Sequence, residues 1–147
     1  MPRFSEHGKC RANQTQNTNR YEIEILSATE RQRQCRPTIL ISVHSFTPTF
    51  HGSPRPWHAG VLYNKDPRLA MTLLRSLSAE PKLVIGDNEP YGVRDETDYT
   101  IPEHGEKRGL PHVGIELRQD LIATEEGQTE WAERLTRALV AIARAAA

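Results

Sequence analysis

No charge of one sign predominates in this sequence, and it contains no long apolar run. Lys and Arg number 19, as do Asp and Glu, so the formal net charge is zero. A neutral chain has no overall field to attract nucleic acid or an anionic membrane. No apolar run approaches the length of about 20 residues that a helix needs to span a bilayer. The N-terminus also lacks the apolar stretch of a secretory signal. We therefore expect neither a nucleic-acid partner nor a membrane association.

Cysteine is also scarce. The only two cysteines, Cys10 and Cys35, both lie in the polar early part of the chain. Two cysteines in such a stretch do not form the disulfide framework of a small secreted protein. The sequence therefore favours a reducing, cytoplasmic setting.

The composition that is present indicates one globular domain with a polar segment before it. Hydrophobic residues make up 37% of the 147 residues and charged residues 26%, as in globular domains of this size. Residues 1–20 are polar without apolar periodicity, whereas residues 21–34 permit a helix. We predict a poorly structured segment over 1–36 and a folded part over 37–147.

Within the folded part, short apolar runs alternate with helical patterns. Leu69, Leu73 and Leu77 recur at helical spacing, and Trp131 opens a similar pattern near the C-terminus. Strands are predicted at Thr38–His44, Ala59–Tyr63, Lys82–Ile85 and His112–Leu117. This alternation predicts an α/β fold, with a mostly parallel or mixed sheet flanked by helices.

His44 stands at the end of the first predicted strand, where open α/β sheets place their ligands. Its imidazole is suited to bind a metal, and Ser45 beside it could orient the imidazole or a substrate. Alternatively, His44 simply ends the strand.

Glu116 lies in an apolar strand and is followed by Arg118 on the same face. A carboxylate there is costly unless it is paired, metal-bound or used in catalysis. Two interpretations remain open: a general base near a metal-bound water, or a structural Glu116–Arg118 pair.

Turn-forming and polar residues follow the third predicted strand, over residues 86–92. Asn88 could hold a substrate amide or carboxylate, and Tyr91 or Tyr99 could form a wall of the pocket. An ordinary turn accounts equally well for this composition. The other histidines show no close metal-ligand spacing.

Four blocks in order resemble the N-formylglutamate amidohydrolase family from about Pro37 to the end. They are ILISVHSFTP, RPWHAGVLYNKDPRLA, LVIGDNEPYGVRDETDYT and RGLPHVGIELRQDLI, followed by an amphipathic helix. The resemblance implies a hydrolase-like fold similar to that of zinc carboxypeptidases, with one catalytic zinc. It also implies hydrolysis of N-formylglutamate, or of a related N-acyl amino acid, to the free amino acid and a carboxylate.

The resemblance assigns a role to each candidate residue. His44 matches a zinc ligand, and Glu116 matches the glutamate that activates the zinc-bound water. Arg118 matches a position suited to a substrate carboxylate or to steadying Glu116. The substrate-side positions are Ser45, Asn88, Tyr91, Tyr99 and Arg118.

The sequence departs from the family in its early part, where relatives carry further zinc ligands. Residues 1–36 contain only His7 as an imidazole, so the domain is expected to be truncated at its N-terminus. The alternatives are a non-catalytic relative that binds a small carboxylate, and a chain that pairs through an exposed sheet edge. Such pairing, with another chain or with itself, would complete the sheet.

Overall fold

The computed structural model of the protein describes residues 20–94 and 98–145. The chain divides into two units, residues 1–38 and 39–147. In the first unit, helix α1 spans Arg20–Arg33, with two arginines in its last turn, where cations interact favourably with the helix dipole. Residues 1–19 of the segment predicted to be poorly structured lie outside the described residues.

A four-stranded mixed sheet forms the centre of the second unit. Its strands are β1 (Leu40–Phe46), β4 (Ala59–Leu62), β5 (Ile85–Asp87) and β6 (His112–Arg118), in the order β1-β6-β4-β5. β1 runs parallel to β6 and β4 parallel to β5, whereas β4 and β6 are antiparallel. The predicted α/β fold with a mixed sheet is confirmed.

A short hairpin, absent from the sequence prediction, follows β1. Strand β2 (Thr49–Phe50) pairs with β3 (Ser53–Pro54). Between them His51 and Gly52 both have positive φ, 48° and 79°. Positive φ at both central residues is what a two-residue hairpin turn of type I′ requires.

The main core lies on one face of the sheet. Side chains alternate along a strand, so Val113, Ile115 and Leu117 of β6 all point to this face and are buried. Helices α2 (Arg68–Ser78) and α3 (Glu125–Ala145) cover it. They contribute Leu69, Leu73, Leu77, Trp131 and Ile142 to the core. The leucine spacing and the C-terminal apolar pattern therefore predicted both helices.

An ionic contact joins the end of α2 to α3. Glu80 accepts hydrogen bonds from Arg134 Nε at 2.8 Å and from Arg137 Nη2 at 3.4 Å. The Arg134 guanidinium lowers the pKa of Glu80 below its ordinary value. The contact thus fixes the two helices to each other at the rim of the core.

The opposite face of the sheet is covered by chain segments instead of long helices. A small apolar cluster of Leu62, Val93 and Ile101 lies there. Ile101 belongs to a π-helix spanning Thr100–Glu106, an uncommon form that is often found at functional sites. A 3₁₀-helix, Gln119–Ile122, connects β6 to α3.

The third strand begins later than predicted. Lys82–Ile85 was expected to form it, but β5 spans Ile85–Asp87. The amide of Leu83 donates to Glu80 O in a turn, and the amide of Val84 donates to His58 Nδ1. These bonds use the backbone donors that a strand would have needed before Ile85.

No helix among the described residues is both long and apolar enough to cross a membrane.

Candidate functional site

His44 and Glu116 lie side by side on the face opposite the main core. In the parallel pairing of β1 and β6, His44 is the register partner of Glu116. On the other side of β6, Glu116 is opposite Gly60 of β4. Register partners point to the same face, so the sheet places the predicted zinc ligand and the predicted general base next to each other.

Glu116 is buried, and its environment disfavours its charge. The side chain is 8% exposed, and its buried Oε2 has no hydrogen-bond partner among the described residues. Burial raises the pKa of Glu116 above its ordinary value. Asp98 also raises the pKa of Glu116, while His44 and Arg55 act in the opposite direction. The carboxyl group is thus shifted towards the range in which a general base works best.

His44 is held by a serine other than the one predicted. Its Nε2 lies 3.0 Å from Ser42 Oγ. Ser45 is the register partner of Leu117, whose side chain belongs to the main core. Strand alternation therefore directs Ser45 to the opposite face from His44. The hydroxyl group beside the imidazole belongs to Ser42, and the prediction of Ser45 at the site is corrected.

Two adjoining cavities meet at Glu116. One has a volume of about 300 Å³ and is lined by Ser42, His44, Tyr99 and Glu116, among others. The other has a volume of about 460 Å³ and is lined by Tyr91, Arg94 and Glu116, among others. Leu62 and Asp98 line both cavities. A small molecule in either cavity would therefore contact Glu116.

The two predicted tyrosines line these cavities from different sides. Tyr91, 43% exposed, lines the larger cavity. Tyr99, 66% exposed, lines the smaller one, and its ring meets that of His104 edge to face at 5.3 Å. Each tyrosine thus lines a cavity that Glu116 also lines, and their contact with a substrate stays a prediction.

Asn88 is used within the protein. It has a positive φ of 53°, and its Oδ1 accepts a hydrogen bond from the Tyr63 amide at 2.9 Å. Its own amide donates to Val61 O. Asn88 thus ties the turn after β5 to the end of β4, and it lines neither cavity at Glu116.

Close packing at two glycines brings the next residues onto the sheet. A Cβ atom on Gly60 would lie 1.9 Å from Glu89 O, and one on Gly86 would lie 2.6 Å from it. Only glycine permits so close an approach. The segment that carries Tyr91 is therefore seated directly on β4 and β5.

Arg118 does not pair with Glu116. Its guanidinium makes an ion pair with Asp120, at 2.8 Å and 3.2 Å. Its Nη1 also donates to the carbonyl oxygens of Arg55 and Trp57, each at 3.3 Å. The alternative of a structural Glu116–Arg118 pair is therefore wrong, and Arg118 supports the loop before β4.

That loop carries Arg55, which sequence reasoning did not select. Arg55 is 8% exposed and is close enough to Glu116 to affect its pKa. The only signal in the sequence was its position at the start of the RPWH block. Its contacts in the folded chain include the ring of Tyr91, which is far from it in sequence.

The described residues do not by themselves fit a catalytic zinc. Such a zinc takes three protein ligands and a water. The unpartnered Oε2 of Glu116 and the imidazole of His44 are suitable donors. However, no three His, Cys, Asp or Glu side chains within 20–94 and 98–145 form a group that could hold a metal ion.

Comparisons with known proteins agree with the resemblance. The family model described as N-formylglutamate amidohydrolase matches residues 20–123. This range begins before Pro37, where the resemblance was expected to start, and ends before α3. A search of curated proteins gave no match.

A solved structure is also similar: the crystal structure of a gene product from Agrobacterium tumefaciens, with 35% identity and a TM-score of 0.72. The match covers 83% of this chain and 50% of that one. The chain therefore spans about half the length of that relative.

Proposed function

Because the chain belongs to the N-formylglutamate amidohydrolase family, we propose that it takes part in the hydrolysis of an N-acyl amide. The substrate class is an N-acyl amino acid, with N-formylglutamate as the type compound. The observation that supports this most directly is Glu116, whose buried Oε2 has no hydrogen-bond partner in the described chain. Glu116 lines both cavities.

The role proposed for Glu116 is that of general base. Its carboxylate would take a proton from the attacking water as the water oxygen bonds to the acyl carbon. The C–N bond then breaks, and the amine nitrogen leaves with the proton that Glu116 returns. The products are a carboxylate and a free amino acid. A positioned base of this kind contributes about 10²–10⁴-fold to the rate.

The metal of this reaction would be a zinc ion, with His44 as the ligand from β1. When bound, a catalytic zinc polarises the amide carbonyl and acidifies a coordinated water. His44 alone does not complete such a site, so the remaining ligands would come from outside the described residues.

A second candidate function follows from the position of β1. It is an edge strand that pairs only with β6 among the described strands, and its Val43 is 54% exposed. An unpaired edge of this kind accepts a further strand. A strand added there, from a second copy or from another polypeptide, would lie next to His44. In this case the chain would act as a pairing module.

The test of the proposed hydrolysis combines two readouts on zinc-supplemented protein. Release of formate from N-formylglutamate is measured for the wild type, for Glu116→Gln and for Glu133→Gln, a control at an exposed position on α3. We expect Glu116→Gln to lower kcat by about 10²–10⁴-fold, and the control to be unchanged. Near-normal turnover in Glu116→Gln, or no formate from the wild type, would contradict the proposal.

Zinc content is measured in the same preparations by elemental analysis, with His44→Ala added to the set. We expect His44→Ala to lose zinc while Glu116→Gln retains it. Unchanged zinc in His44→Ala would remove this residue from the proposed ligands.

A further inference from the structure

Arg55 is a buried cation surrounded by aromatic rings. Its guanidinium carbon lies 4.6 Å from the ring centroid of Phe50, 4.8 Å from that of Tyr91 and 5.7 Å from that of Phe46. Each ring attracts the cation through its π-face. Phe46 and Phe50 come from β1 and β2, which shortly precede Arg55 in the chain, whereas Tyr91 comes from the distant segment after β5.

No carboxylate pairs with Arg55 in the described part of the chain. Its Nη1 donates to Thr47 O at 3.4 Å and to Thr47 Oγ1 at 3.5 Å, both long distances. Nη2 and Nε donate to no described group. Several other arginines do have acidic partners: Arg68 has Asp66, Arg118 has Asp120 and Arg134 has Glu80.

This arrangement leaves N–H donors of Arg55 open to an anion. The residue is only 8% exposed, but its Nε and Nη2 are not among the buried side-chain atoms that lack a hydrogen-bond partner, so they remain accessible. Rings stabilise the charge but do not accept the N–H groups in the guanidinium plane. A planar fork with free N–H donors matches the two oxygens of a carboxylate.

The main chain around Arg55 is fixed on both sides. Its amide donates to Pro48 O at 2.8 Å, and its carbonyl oxygen accepts from Arg118 Nη1 at 3.3 Å. These bonds hold the main chain from which the Arg55 side chain extends, so less conformational entropy is lost when a ligand binds.

Tyr91 connects Arg55 to the cavity at Glu116. The ring that lies against the guanidinium also lines the larger cavity. One end of a ligand in that cavity would therefore contact the Tyr91 ring that lies against Arg55, while its other end would lie beside Glu116. Because Glu116 and Asp98 both line this cavity, a carboxylate group, which carries one charge, fits it better than a phosphate group, which carries up to two.

We propose that Arg55, enclosed by Phe46, Phe50 and Tyr91, is the binding site for a carboxylate of the substrate. This inference rests on the proposed function, since it names the part of an N-acyl amino acid that the site recognises. Arg118, which the sequence suggested for this task, is instead a positioning residue that holds the carbonyl group of Arg55.

The test measures binding instead of turnover. In a Glu116→Gln background, which prevents hydrolysis, calorimetric titration gives Kd for N-acetylglutamate and for its two mono-amides. One amide lacks the charge of the α-carboxylate and the other lacks that of the side-chain carboxylate. We expect one of them to bind about 10- to 100-fold more weakly than the diacid, which identifies the carboxylate that Arg55 contacts.

The substitution Arg55→Gln, added to this background, should remove that difference. The diacid should then bind as weakly as the amide, while the Kd of the amide should not change. Arg55→Lys keeps the charge but lacks the planar fork, so it should recover only part of the difference and serves if Arg55→Gln does not fold. Arg137→Gln, on an exposed side chain, is the matched control.

Two outcomes would overturn the inference. One is an undiminished preference for the diacid in both Arg55 variants, and the other is no binding of the diacid at millimolar concentrations. These outcomes are separate from a failure of the proposed hydrolysis. A chain that binds through Arg55 but releases no formate would retain the carboxylate site and lose only the catalytic role.

Discussion

Glu116 is a residue at which the requirements of the site and of the fold conflict. Its carboxyl group is buried, and the pKa is raised chiefly by that burial. An acid with a raised pKa in the folded state favours folding when protonated and opposes it when ionised. The contribution of Glu116 to stability is therefore present below its unfolded pKa and is lost as the pH rises through its folded pKa.

We predict that Glu116→Gln will be more stable than the wild type at neutral pH. Glutamine has a similar shape but does not ionise, so it avoids the desolvation penalty. The difference in free energy of unfolding should shrink towards zero below about pH 4, where the carboxyl group is protonated in both states. Urea denaturation at several pH values measures it, with Glu133→Gln as the control. A difference that does not vary with pH would contradict this explanation.

Among the residues of the candidate site, the sequence pointed to His44 and Glu116 but not to their neighbours Ser42 and Arg55. His44 was recognisable at a strand end, and Glu116 as a carboxylate in an apolar strand; the register then set them side by side. Ser45 was misplaced because one residue along a strand changes the face. Arg55 could not be singled out, since its aromatic neighbours at 46, 50 and 91 meet only in the folded chain.

At the scale of elements, the segment after β5 depends on the strands beneath it. Glu89 O lies so close to β4 and β5 that no Cβ atom fits at Gly60 or Gly86. This contact holds the segment that includes Tyr91, and therefore one wall of the larger cavity. The position of this wall therefore depends on glycine, which has no side chain, at Gly60 and Gly86.

We predict that Gly60→Ala will destabilise the protein by about 1–3 kcal/mol, as overpacking in a close-packed interior does. Its Cβ would lie 1.9 Å from Glu89 O, so the segment must move. Gly92→Ala is the control, because a Cβ there has nothing within 4 Å and Gly92 does not have a positive φ. Thermal unfolding of both variants tests this; equal melting temperatures would refute it.

Helices and strands could be predicted where the local pattern of apolar residues is enough to specify them. The leucine spacing of α2 and the apolar pattern of α3 reflect one buried face each. The β2–β3 hairpin was missed because its strands have two residues each, too few for an alternating pattern. The start of β5 was misjudged because a turn bond to Glu80 and a long-range bond to His58 occupy the amides of the preceding residues.

At the scale of the molecule, the outer edge of β1 has backbone groups that no described strand pairs with and that a further strand could use. Val43 projects from this edge strand and is 54% exposed. A lysine at an edge strand is a common natural device against strand pairing. We therefore expect the strength of any association through β1 to depend on the residue at position 43.

We predict that the wild type will associate with increasing concentration and that Val43→Lys will shift it towards monomer. Sedimentation velocity measures the change. Val140→Lys, which alters a valine of similar exposure (45%) on helix α3, should leave the association unchanged. If the wild type and Val43→Lys are both monomeric, self-association through β1 is excluded. If Val43→Lys and Val140→Lys reduce association equally, the effect comes from the added charge in general.

The position of α3 has a consequence for how this domain can be delimited. The family match ends at residue 123, yet Trp131, Ala138 and Ile142 of α3 are each no more than 2% exposed in the main core. A shortened gene product designed to stop at the family boundary would leave the sheet with an uncovered apolar surface, a common cause of aggregation. The range of the family match is therefore shorter than the unit that folds, and any shortened version of the protein should retain the final helix.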